Sequence, residues 1–114
     1  MLYYFMSVSA KEFENLLAHG FIKSKHNDSL SLSKLFQEEK SKDNQYVLIF
    51  NADELLRQGA IEIENSADVI IDEIKLERNV LIGYHLLDFV TDTPKLNTLI
   101  ATKNIGRYTL NKHK

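Results

Sequence analysis

Two adjacent carboxylates, Asp72 and Glu73, are the most conspicuous chemistry-bearing pair in this chain. They interrupt an apolar stretch, with Val69–Ile71 before them and Ile74 after. Neighbouring side chains of a strand point to opposite faces, so one carboxylate faces inward if the other faces solvent. An inward carboxylate needs a partner or a raised pKa, and that combination marks sites of acid–base or electrostatic work. A solvated bulge between two half-strands accounts for the same pair. The remaining chemistry is thin. His19, His26, His85 and His113 lack metal-ligand spacing, so no metal site is expected. There is no cysteine, which removes disulfides, thiolate ligands and a cysteine nucleophile together. The four glycines are isolated, and no phosphate-binding loop pattern exists.

The elements that must position these residues begin at the N-terminus. Leu2–Met6 is apolar and aromatic, the composition of a buried strand. Ser9 and Glu12 form a capping box, in which the serine oxygen takes an orphan N–H and the glutamate reaches back. Phe13, Leu16 and Leu17 give a helical stripe, and Gly20 supplies a left-handed stop before Phe21-Ile22. Ser29–Leu32 alternates, with Leu30 and Leu32 inward and Ser31 outward. Ser33 caps a short helix carrying Leu35 and Phe36 to about residue 40. Tyr46–Phe50, apolar at every position, is a central strand. Asn51 caps a short helix ended by Gly59, and Ala60–Glu64 is a strand near an edge. Val69–Ile71, Ile74–Glu77 and Val80–Phe89 are further strands. Pro94 opens a helix with Leu96, Leu99 and Ile100 on one stripe, and Ile105–Leu110 is a last strand. The fold class is α+β: a twisted, mainly antiparallel or mixed sheet with two or three short helices packed on it. Leu2, Tyr4, Phe13, Leu16, Leu17, Val47, Ile49 and Ile82 are expected in one core.

The chain has 114 residues, 44% hydrophobic and 26% charged, which suits one folded domain over 1–114 with a frayed basic tail at 111–114. Net charge is −2, giving no general attraction to nucleic acid or an anionic membrane. No run approaches the roughly 18 apolar residues of a membrane helix, and no basic region precedes the first apolar run. A cytoplasmic location is expected. Charge is segregated: residues 51–93 hold ten acids and three bases, whereas residues 95–114 hold five bases and no acid. The tail either folds back on the acidic middle, stays solvated, or serves as a basic arm. The acidic middle supports a small non-enzymatic inhibitor or binding protein of the phage or mobile-element kind, acting on a basic macromolecular partner, protein rather than nucleic acid.

The opening LYYFMS…FENLLAHGFIKS, with SLSLS at 29–33, YVLIF at 46–50 and DEIKLE at 72–77 in that order, resembles ADP-ribosyltransferase-like domains over roughly residues 2–89. That group includes DNA-modifying toxins of toxin–antitoxin pairs and RNA 2′-phosphotransferases. The resemblance implies modification or binding of a macromolecular target, with NAD as cofactor if it extends to activity and no cofactor otherwise. It makes Tyr4 the counterpart of an NAD-contacting histidine, sets Ser31 or Ser33 beside the nicotinamide, and makes Glu73 the catalytic carboxylate that stabilises a cationic ribose. Two positions depart from the pattern: tyrosine replaces histidine at 4, and Met6 stands where a small hydroxyl residue is usual. Read from the residues alone, Tyr4 is a core aromatic of the first strand, and Ser31 and Ser33 are a polar face and a cap.

Overall fold

A computed structural model describes residues 2–24, 28–36, 45–87 and 93–108. The first strand, β1 (Tyr3–Val8), leads into helix α1 (Ala10–His19). The capping box forms as its residues dictate: the Glu12 N–H donates to the Ser9 hydroxyl oxygen at 3.1 Å, and the Ser9 N–H donates to the Glu12 carboxylate at 2.9 Å. Gly20 ends the helix in the left-handed conformation, φ 79°, a region most side chains avoid. Phe13, Leu16 and Leu17 of α1 are fully buried. Each such burial is worth about 1.5–3 kcal/mol relative to exposure, so this stripe, not helix propensity, holds α1 down.

Strands β2 (Phe21–Lys23), β3 (Leu30–Ser33) and β4 (Tyr46–Asn51) follow, then helix α2 (Ala52–Arg57). The Asn51 side chain caps α2 by accepting the N–H groups of Asp53 and Glu54. After it come β5 (Ile61–Glu62), β6 (Asp68–Ile71), β7 (Glu73–Lys75), β8 (Leu81–Leu86), helix α3 (Pro94–Thr102) with proline in its first turn, and β9 (Gly106–Arg107). Seven strands form one mixed sheet in the order β5-β6-β3-β1-β4-β8-β9. All pairings are antiparallel except β8–β9, which is parallel. Strands β2 and β7 form a separate antiparallel pair. The α+β class read from the sequence is therefore the class of the structure, a single compact domain.

Strand β4 is buried at all six positions between β1 and β8. Its even-numbered side chains, with Tyr4, Met6 and Val8 of β1, Leu32 of β3, and Val69 and Ile71 of β6, face the helices. There they meet Phe13, Leu16 and Leu17 of α1 and Leu96 and Ile100 of α3. The odd-numbered side chains lie on the other face, where Phe5, Phe36 and His85 form edge-to-face ring contacts. Val47 and Ile49, each 1% exposed, are buried there rather than among the helices.

Four expectations are corrected. Leu2 is 73% exposed: it precedes the strand, and only its backbone is engaged, its carbonyl accepting the Ala52 N–H. The single core divides into two faces, because an all-apolar central strand is buried on both sides. Ile82 is only half-buried, since β8 carries a bulge there: Ile49 pairs with Gly83 and Phe50 with Leu81, leaving Ile82 without an opposite residue. Leu35 and Phe36 lie in no helix; the Leu35 N–H donates to the Ser33 hydroxyl at 3.0 Å, closing a local turn instead. The remainder of that expected helix, and the tail at 111–114, lie outside the described residues.

Candidate functional site

Tyr4 is carried on the helix-facing side of β1 and is 2% exposed. Its hydroxyl donates to the Glu62 carboxylate of β5, and Lys34 Nζ stands 3.8 Å from the other oxygen of that carboxylate. Burial first, then the hydrogen bond to Glu62 and the negative charges of Glu62 and Asp53, push the Tyr4 phenol well above the ordinary tyrosine value. The tyrosine hydroxyl is thus a committed donor at the end of the core. Glu62 was not singled out by the sequence reasoning. The Ile-Glu-Ile-Glu alternation at 61–64 carries the signal, but it marks an edge strand without revealing what a carboxylate reaches across the sheet end.

Ser31 is exposed on β3 opposite Ile70, on the face away from the helices. Ser33 shares that face, where it pairs with Phe5 of β1, and its hydroxyl is engaged by the Leu35 N–H. Tyr4 therefore lies on one face of the sheet, and Ser31 and Ser33 on the other.

Glu73 begins β7, half-buried, with Lys23 as its cross-strand partner. Asp72, exposed, accepts the Ser29 hydroxyl at 3.1 Å. The two carboxylates mark the point where the chain leaves the large sheet for the small one, which is why apolar residues flank them on both sides. Gln58, at the end of α2, holds this strand by its side chain: its amide oxygen accepts the Lys75 N–H at 2.8 Å, and its amide nitrogen donates to the Lys75 carbonyl at 2.9 Å. A second donation reaches Glu77 at 3.2 Å. One glutamine thus does what a neighbouring strand would do for β7. Beside it opens a cleft of about 390 Å³ lined by Gln58, Gly59, Ile71, Asp72, Glu73, Lys75 and Glu77. Tyr4, Ser31 and Ser33 do not line this cleft.

Six described acids of the middle segment lie on the β5–β6 edge of the large sheet and around the adjoining β7 cleft. Glu62, Glu64 and Asp68 are exposed on the β5–β6 hairpin, and Asp72, Glu73 and Glu77 surround the cleft. Among the described residues, Glu62 alone of these six forms an ion pair, with Lys34. The basic segment lies at the opposite edge: Lys103 and Arg107 are exposed on and beside β9, while Lys95 stands 3.5 Å from Glu14 of α1. Strand β9 folds back onto β8 of the middle segment, but among the described residues Lys95, Lys103 and Arg107 form no ion pair with an acid of that segment. Among the described residues, no three His, Asp or Glu side chains gather closely enough to hold a metal ion, and no helix is long and apolar enough to cross a membrane. No family model matches the chain, and no curated protein matches it significantly.

Proposed function

We propose that this domain is a macromolecule-binding protein that docks a basic protein partner against the acidic β5–β6 hairpin and the adjoining β7 cleft. The observation that carries this reading is the set of five carboxylates there, Glu64, Asp68, Asp72, Glu73 and Glu77, without an ion-pair partner among the described residues. Such a surface steers a positively charged partner and repels nucleic acid. A cytoplasmic location and an inhibitor-type role belong to the same proposal. The test is capture of partners from an extract of the source cells on the immobilised chain, repeated at raised salt. This reading expects a basic protein that is retained at low salt and lost as the salt screens the surface. Recovery only of partners insensitive to salt overturns it.

A second reading follows the resemblance to ADP-ribosyltransferase-like domains, with NAD as cofactor and Glu73 as the carboxylate beside the ribose. The half-buried position of Glu73 in a cleft favours it. The commitment of the Tyr4 hydroxyl to Glu62, and the opposite sheet faces of Tyr4 and the two serines, weigh against it. Calorimetric titration with NAD separates the two readings, because cofactor binding does not require the acceptor. Heat that saturates, together with transfer lost in Glu73→Gln, supports the enzyme. Absence of heat leaves the binding protein.

A further inference from the structure

A second cleft lies elsewhere, between the outer side of α1 and strand β2, and has a volume of about 720 Å³. That size falls within the range of small-molecule sites, about 300–1,000 Å³. Lys11, Asn15 and His19 line it from α1. They are spaced four apart, so they stand in one row along the helix. Phe21, Lys23 and Ser24 face them, and Ile22 and Leu30, both half-buried, contribute apolar surface.

Three features of this lining point to one ligand chemistry. Phe21 is 45% exposed on a short strand whose neighbour Ile22 already serves the core, so its ring face is available. The His19 ring stands beside it, centroids 6.3 Å apart and tilted 47°, which extends the aromatic wall. The ammonium groups of Lys11 and Lys23 form no ion pair among the described residues, and the one acid in the lining, Glu12, is held by the Ser9 N–H in the capping box. The cleft is therefore cationic and aromatic on a chain of net negative charge. Asn15 and Ser24 add a side-chain amide and a hydroxyl for orientation.

We infer that this cleft binds a planar organic anion of the nucleoside monophosphate class, with the ring stacked on Phe21 and the phosphate held between Lys11 and Lys23. The site uses none of Tyr4, Ser31, Ser33 or Glu73, and its Lys23 lies across the β2–β7 ladder from Glu73 of the acidic cleft. Stacking on an exposed aromatic tolerates any base, so specificity among bases rests on Asn15 and Ser24.

The test is an amide NMR titration of the full chain with adenosine 5′-monophosphate, with adenosine and inorganic phosphate as separate arms. The expected result is saturable shifts at Lys11, Asn15, His19 and Phe21, with adenosine and phosphate each binding at least about tenfold more weakly than the nucleotide, since each keeps only half of the contacts. Phe21→Ala should weaken the nucleotide by roughly tenfold and Lys11→Ala by about two- to fivefold, both at exposed positions, while the circular dichroism spectrum stays unchanged. Shifts that do not saturate, shifts confined to other surfaces, phosphate binding as tightly as the nucleotide, or unchanged affinity in both variants would each overturn the assignment.

Discussion

Gly83→Ala tests how β9 is attached, and with it the placement of the basic edge. Gly83 is buried in β8, and Gly106 of the parallel strand β9 lies directly beside it. A Cβ built on Gly83 would strike the ring of Tyr108 and would come within 2.6 Å of the Gly106 carbonyl oxygen. The ring can rotate away, but a backbone oxygen yields only if β9 moves. Overpacking of this kind costs about 1–3 kcal/mol. Displacing β9 also breaks the bond from the Tyr108 N–H to the Tyr84 carbonyl, 2.7 Å, worth a further ~0.5–1.5 kcal/mol. The expected loss is therefore about 1.5–4.5 kcal/mol, read as a lowered urea midpoint at unchanged slope. Gly106→Ala is the control: its Cβ would meet only the Tyr108 ring, at 4.0 Å, an ordinary contact. It should shift the midpoint little. Equal midpoints for Gly83→Ala and the wild type would show that β9 does not seat against Gly83.

Two further perturbations address the core and the Tyr4 cluster. Ile49→Ala removes a side chain 1% exposed on the face away from the helices, and a loss of about 2–5 kcal/mol in urea unfolding is expected; a midpoint matching wild type would show that this face is not a packed core. Tyr4 gives a pH dependence whose sign is fixed by its raised pKa: the folded state keeps the phenol proton above pH 10 while the unfolded state loses it, so this contribution is intact below about pH 10 and fades as pH rises toward the folded value. Urea midpoints should fall between pH 9 and 11.5, less steeply in Tyr4→Phe, and equal slopes in the two proteins would refute the burial and pairing of that hydroxyl.

Most local signals in the chain were legible, the Ser33 cap excepted, and long-range ones were not. The capping box at Ser9 and Glu12, the left-handed Gly20, the Asn51 cap and Pro94 in a first turn each depend on residues within a few positions, and each forms. The alternation of Leu30, Ser31 and Leu32 sets which way each points, and the structure follows it. The all-apolar Tyr46–Phe50 marks a central strand but holds no alternation, so it cannot tell the helix face from the other one. The bulge at Ile82 and the transfer from β6 to β7 at Asp72 arise from pairing partners distant in sequence. The Tyr4–Glu62 contact spans 58 positions, and no periodicity reports it. The residues that the family resemblance assigns were legible as types, while their sheet faces depend on registers set by strands far along the chain.

The central claim, that the acidic β5–β6 hairpin with the adjoining β7 cleft is the docking surface, is tested most directly by reversing charge at each edge of the large sheet separately. Glu64→Lys with Asp68→Lys alters the β5–β6 hairpin at exposed positions, and Lys103→Glu with Arg107→Glu alters the opposite edge by the same amount. The assay is quantitative capture of the salt-sensitive partner by each variant, with circular dichroism confirming the fold. The account predicts that the first pair abolishes capture and the second leaves it unchanged. Capture retained by the first pair and lost in the second would contradict it, moving the interface to the basic edge.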